Sequence, residues 1–392
     1  MQGGGLLKVA IIGCGKIADS HLAQIQRIPG CKVVGACDRE PLMAKQLAER
    51  FKIPSQFSDV SAMLSDCQPD VVHITTPPAN HYDLGKQCVT AGCHLYVEKP
   101  FTLNTEEAQE LIALASKSQR KVTVGHDLQY SHAARRMRQL VKDGYLGGRA
   151  AHLESYYCYD LSEAAYAKAL LSDKQHWVRG LPGKLLQNII SHGIARIAEF
   201  IDDDSPKVIA HGFVSPLLTS LGETEIIDEL RVIISASSGM TAYFTFSSQM
   251  RPSLNEFRIY GAKNGILVDD EQQTVIKLPG KRLKSYAEKF VSPLMLARQQ
   301  FGNVAVNARK FLGSDFHMKA GMKCLIESFY SSIEKETPPP IPYREILLTS
   351  RIMDDIFEQI NRSANAFAAG LKSNRPDRAE RAGILVPKLS SE

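Results

Sequence analysis

Two residues of this chain stand where a proton can be moved. Lys99 closes the run HLYVEKP, and His192 lies within LLQNIISHGIARIAEF. A lysine at the carboxyl end of a strand, partly withdrawn from water, can donate to a hydroxyl oxygen or take its proton. Asn188 and His192 stand at i and i+4 of a helix and share a face, so an amide and an imidazole meet one bound molecule together. Both groups suit acid–base chemistry on an alcohol or ketone. The eight cysteines are scattered, with no C-x-x-C and no Cys/His spacing that fits zinc, so no metal is expected and the thiols read as reduced.

A second cluster of signals concerns an anionic ligand. The first apolar run, LLKVAIIG, is followed by Gly13-Cys14-Gly15-Lys16-Ile17-Ala18. In this G-x-G-x-x-A pattern the first glycine permits a tight turn and the second lets backbone approach a pyrophosphate. The small sixth residue lets the helix pack on the strand. Exposed N–H groups at the helix start, those of Lys16 and Ile17 among them, then face the phosphates. Asp38 ends the next strand, where a carboxylate can accept from both hydroxyls of an adenosine ribose and repel a 2′-phosphate, which favours NAD. Arg39 beside it can pair with such a phosphate and leaves NADP open. Thr75, Thr76, Pro77 and His81 follow the fourth strand, Glu98 and Lys99 the fifth, and His126 the sixth. All fall on the edge where open α/β sheets bind ligands.

The elements that position these residues read as alternating short apolar runs and helix-period segments from Leu6 to about residue 127. That is βαβ grammar, and strands such as VVHIT, apolar nearly throughout, predict a parallel sheet covered on both faces. Beyond SHAARRMRQLVKDG, which ends at Gly144, the pattern changes to strands: HLESYYCY, PKVIAHGFV, DELRVIISA, MTAYFTFSS, EFRIYGA and GILVDDE. The middle pair forms a hairpin through Ser237-Ser238-Gly239. The expected organisation is a Rossmann-type doubly wound domain over 1–127, an α+β domain with an open, mainly antiparallel sheet over 128–360, and a polar tail over 361–392.

The fingerprint, Asp38, the segment TTPPANH and above all Glu98-Lys99-Pro100 resemble the Gfo/Idh/MocA oxidoreductases. The resemblance is strong over 6–130 and continuous to about residue 360. It implies an NAD(P)-dependent dehydrogenase or reductase acting on CH–OH groups of a sugar, cyclitol or nucleotide sugar. Lys99 then touches both nicotinamide and the reacting hydroxyl, with Glu98 near the nicotinamide ribose. The resemblance has His126, Asp127, Gln129 and Tyr130 line the cofactor and substrate pocket, His126 toward the cofactor, and gives Gln129, Tyr130, Trp177, Asn188 and His192 to the substrate. Members commonly carry a carboxylate, a glycine and a histidine at the positions of Asn188, Ile190 and His192, and an aspartate at that of Ala195. This chain keeps only the histidine, which puts a carboxylate-assisted proton relay in doubt. The family also implies two other readings: an NAD-dependent glycosidase working through transient oxidation, and a silent NAD-binding regulator.

A formal charge of +5, from 47 basic and 42 acidic residues, gives no basis for a nucleic-acid partner. No basic n-region with an apolar core opens the chain and no run of apolar residues can span a bilayer, so a cytoplasmic protein without a membrane partner is expected. One face of the second sheet carries apolar residues that fit a homodimer or homotetramer contact. The stretch from Lys277 to Lys310, with Lys281, Arg282, Lys284, Lys289, Arg298 and Arg309, is expected to be helical. It serves either as a solvated basic face or as a cover over the active site that reads a nucleotide diphosphate.

Overall fold

The structure is a computed structural model that describes residues 6–161, 170–280, 284–316 and 319–373. Its first domain is a six-stranded parallel sheet. The strands are β1 (Leu7–Ile12), β2 (Cys31–Cys37), β3 (Gln56–Phe57), β4 (Val71–Ile74), β5 (His94–Val97) and β6 (Val122–Val124), in the spatial order β3-β2-β1-β4-β5-β6. Helices α1 (Lys16–Ile25), α2 (Pro41–Phe51), α3 (Val60–Cys67), α4 (His81–Thr90) and α5 (Thr105–Lys117) make the crossovers. The order reverses between β1 and β4, the switch point at which such sheets open a crevice. Register sets the site: Ile12 pairs with Cys37 and Ile74, Ile74 with Val97, and Val97 with Val124. Gly13, Asp38, Thr75, Glu98 and Gly125 therefore leave the sheet along one edge. The two-residue strand β3 was not visible in the apolar pattern because it is too short to show a period.

After α6 (His132–Lys142) come β7 (Ala150–Tyr157), α7 (Lys184–Ile189) and α8 (Ser191–Ala198). The remaining strands are β8 (Lys207–Phe213), β9 (Glu229–Ser235), β10 (Thr241–Ser247), β11 (Asn255–Gly261), β12 (Asn264–Asp269) and β13 (Thr274–Pro279), with α9 (Pro216–Ser220) between β8 and β9. The second sheet runs β13-β12-β11-β7-β10-β9-β8, antiparallel except where β10 lies parallel to β7. The expected hairpin joins β9 to β10. β13 corrects the sequence reading: Lys277 lies in an edge strand that returns from β12, and the helix begins later, as α10 (Ser285–Leu312). The alternation in TVIKLP is too brief to compete with the charged helical run after it.

Two further helices, α11 (Ala320–Glu334) and α12 (Tyr343–Ser373), flank the proline turn at 338–340 as expected, and α12 carries the helix past residue 361. The rest of the polar tail lies outside the described residues. Both helices join the domains. Met322, Leu325, Phe329, Ile341 and Ile346 complete the core of the first sheet, while Ile352, Ile356 and Ile360 of α12 enter the core of the second.

Candidate active site

The glycine turn between β1 and α1 is built for close approach. Gly13 has φ +91°, and a Cβ there would stand 2.7 Å from the backbone nitrogen of Thr76, so only glycine fits. Over Gly15 no atom lies within 4 Å of where a Cβ would be, and the N-terminus of α1 has no side-chain cap. Its first N–H groups, at Lys16 and Ile17, thus border open space, as a pyrophosphate requires. Asp38 is turned toward this loop: one carboxylate oxygen accepts from Cys14 N–H at 2.7 Å and the other from Glu40 N–H at 3.0 Å. It therefore braces the turn, while Arg39 is exposed next to it. Burial pushes the Cys14 thiol up to about 12, which keeps it protonated.

The loop after β4 is braced in the same manner. Thr75 Oγ1 donates to the carbonyls of Ile12, at 3.0 Å, or Gly13, at 2.6 Å. His81 is fully buried, with its ring nitrogens 2.9 Å from the carbonyls of Thr76 and Pro100, so it ties the loop after β4 to the loop after β5. Pro77 leads into a short 3-10 turn. Thr76 Oγ1 is buried without a hydrogen-bond partner.

Glu98 faces inward, away from the open edge. Its Oε1 lies 2.7 Å from His21 Nε2; His21 Nδ1 lies 2.8 Å from His73 Nδ1, and His73 Nε2 lies 2.8 Å from the Tyr330 hydroxyl. This buried chain links β5, α1, β4 and α11. Burial opposes ionisation of Glu98, but the hydrogen bond and charge of His21, with Lys99 behind them, hold the carboxyl below its usual range. Burial, together with the neighbouring His21, lowers His73 well below the usual histidine range and keeps it neutral. Sequence reading missed His21 and His73, although each is a polar residue on a core position: His21 within the stripe Ala18, Leu22, Ile25, and His73 within VVHIT.

Lys99 and His192 come together at the domain junction. Lys99 Nζ donates to the backbone carbonyl of Asn188 at 2.8 Å. Burial lowers its pKa against the opposing pull of Glu98 and Asp127. His192 Nδ1 lies 3.9 Å from Asp127 Oδ1 and has no hydrogen-bond partner. The His192 ring packs against His126 and Tyr157, with centroids 6.0 and 5.7 Å away. Burial, with Lys99, His126 and Lys319 adding positive charge, lowers His192 well below the usual histidine range. His126 is lowered to about 3 by burial, and its Nε2 is likewise without a partner. Burial raises Asp127 despite the nearby Lys319.

Three features differ from the sequence reading. The carboxylate missing at Asn188 and Ala195 is supplied from another element, by Asp127 after β6. Lys319, at the start of α11, was not anticipated; it reaches the cluster because Gly321 lets that helix press on the Asp127 loop, where a Cβ would meet the Asp127 carbonyl at 2.3 Å. Gln129 and Tyr130 do not join the cluster. Gln129 Nε2 donates to Glu199 at 3.1 Å and to Glu345 at 3.3 Å, and the Tyr130 hydroxyl donates to the Pro340 carbonyl. Both serve as struts because the turn over Asp127–Tyr130 sends them into the packing against α8 and α12. Trp177 is partly exposed and stacks on His176, while Arg179 is committed to Glu223 at 2.5 Å. Asn188 contributes its backbone carbonyl to Lys99.

Three buried polar atoms, Thr76 Oγ1, His126 Nε2 and His192 Nδ1, thus lack partners along the edge that carries the glycine turn. Each such atom costs about 1–3 kcal/mol unless a ligand satisfies it, and this arrangement, with the open helix terminus, fits a dinucleotide. Residues 7–126 match the oxidoreductase family with an NAD-binding Rossmann fold, Gfo/Idh/MocA. Over this domain the chain is similar to the Gfo/Idh/MocA oxidoreductases, and it spans less than half the length of the curated relative it matches there. It is 32% identical over 142 residues to D-glucoside 3-dehydrogenase of Escherichia coli, a match covering 36% of this chain and 40% of that protein. The fold extends further. The UDP-N-acetylglucosamine 3-dehydrogenase structure from Acidithiobacillus ferrooxidans superposes with TM-score 0.67 at 19% identity, over 90% of this chain and 97% of that one. The WlbA dehydrogenase from Bordetella pertussis, in complex with NADH and UDP-GlcNAcA, superposes with TM-score 0.71 at 14% identity, over 92% and 96%.

Proposed function

We propose that this protein is an NAD(P)-dependent oxidoreductase that interconverts a secondary alcohol and a ketone on a sugar, cyclitol or nucleotide sugar. The observation that carries the proposal is the convergence of Lys99, His126, Asp127 and His192 at the strand edge that also holds the glycine turn. The names of the relatives support the substrate class. Bound nicotinamide supplies the chemistry of accepting or returning a hydride. The chain's own residues handle the proton. Lys99, oriented by the Asn188 carbonyl, is placed to hold the reacting oxygen. His192, neutral in the absence of substrate, takes the hydroxyl proton in oxidation, and the Asp127 carboxylate beside Nδ1 stabilises the charged ring. Lys319 adds positive charge to the same space, which favours substrates bearing a carboxylate or phosphate.

The test is NADH formation over a panel of hexoses, cyclitols and UDP-sugars, with Lys99→Met as control. Turnover that falls by about 10²–10⁴ in the variant, with NAD binding retained, supports the assignment. NAD binding without turnover on any substrate turns the reading toward a regulator, and altered glycoside without net NADH turns it toward a glycosidase. All eight cysteines are free, which supports a reducing, cytoplasmic location; Asp38 supports NAD, with Arg39 open to NADP.

A further inference from the structure

α10 is amphipathic in the reverse of the usual sense. Its polar face meets the protein: Asn303, 1% exposed, donates to the Val275 carbonyl and accepts from Val275 N–H, both at 3.2 Å. One turn earlier Gln299 makes the same pair of bonds with Lys277, at 2.7 and 3.1 Å, and one turn later Asn307 donates to Gln272. Gln299, Asn303 and Asn307, spaced i, i+4, i+8, thus satisfy the free backbone of edge strand β13. The outward side, about 80–180° round the helix from Asn303, carries Tyr286, Phe290, Leu294, Phe301, Val304 and Phe311, each between 64% and 80% exposed. At 28 residues the helix is about 42 Å long, and this stripe runs along its whole length.

Charge decides what covers the stripe. The exposed charged residues from Lys284 to Leu312 are Lys284, Lys289, Arg298 and Arg309, all cationic, while Glu288 is half-buried. Arg298 and Arg309 flank the stripe on one side and Lys289 on the other. Two copies laid stripe to stripe would bring these cations together, whereas an anionic surface neutralises them. We propose that α10 lies in the plane of an anionic lipid bilayer, its aromatic and aliphatic stripe in the headgroup boundary and its cations against lipid phosphates. Among the described residues no helix is long and apolar enough to cross a membrane, so this attachment is peripheral.

Flotation of the full chain with vesicles tests the proposal without reference to turnover. The protein should float with an equal mixture of phosphatidylcholine and phosphatidylglycerol, less so at high salt, and not with phosphatidylcholine alone. Leu294→Glu/Phe301→Glu, and independently Arg298→Glu/Arg309→Glu, should each weaken binding at least about tenfold while the circular dichroism spectrum is unchanged. Failure of the wild type to float with anionic vesicles overturns the proposal, as does undiminished binding by both variants. So does a wild-type oligomer that Leu294→Glu/Phe301→Glu dissociates, which would mean that a second copy covers the stripe.

Discussion

At the scale of single residues, the site depends on groups kept in the protonation state that burial selects. His192 is held well below the ordinary histidine range, so the free protein keeps a neutral imidazole on acidification past pH 6.5. The value of kcat/KM for alcohol oxidation should therefore stay level through that pH instead of halving there; an acid limb centred on 6.5 would remove His192 from the role of base. Behind the edge, Glu98 relies on His21. His21→Leu leaves a buried carboxylate without its partner and should cost about 3–5 kcal/mol, read as a shifted urea midpoint. Tyr330→Phe removes one neutral partner of His73 and should cost only about 1–3 kcal/mol; equal losses would mean that the chain of hydrogen bonds is not anchored at Glu98. That Lys99 and His192 stand near one another was legible because motif and resemblance marked both. Asp127 was given only a place in the pocket-lining segment after β6, and Lys319 none, because their positions depend on how α11 and the turn after β6 pack, a distance relation that spacing along the chain does not carry.

Elements raise a different problem, that of joining helices whose ends are charged. α6, α8 and α12 meet where Arg138 NH2 bonds Glu199 at 2.9 Å and Gln129 bridges Glu199 to Glu345. Burial, with Glu199 close by, raises Glu345 to about 7. A carboxyl whose folded value lies above its unfolded one contributes stability below about pH 4.5, and that contribution is lost as pH rises through 7. Between pH 5 and 8 the wild type should lose up to about 3 kcal/mol relative to Glu345→Gln, measured by denaturant unfolding at the two pH values; a constant gap would show that Glu345 stays ionised throughout. The order of elements was legible in the first domain because fully buried parallel strands read as continuous apolar runs. β13 and α10 were not, since an edge strand capped by side-chain amides needs little apolar pattern, and a helix that packs through Gln299 and Asn303 hides its orientation from any rule that turns apolar residues inward.

On the scale of the molecule, the proposed chemistry needs two domains held at one distance, and the structure joins them twice: Lys99 bonds the Asn188 carbonyl across the junction, and α11 and α12 carry the chain back into the first core. Among the described residues, one face of the second sheet packs on α8 and α12. Its other face presents Ile209, Ile233 and Tyr243, which are 45–51% exposed on the three neighbouring strands β8, β9 and β10. Arg231 and Glu154 lie among such outward positions, so the face mixes apolar and charged groups as a self-complementary contact does. We infer a homo-oligomer assembled through this face. Ile233→Glu/Tyr243→Glu places like charges opposite one another across a twofold contact, and light scattering should show the monomer mass for this variant against a multiple for the wild type. The two side chains point away from Lys99's domain junction, so turnover per site should change little. A monomeric wild type would dismiss the contact, and an oligomer that survives both glutamates would place the interface elsewhere on the chain.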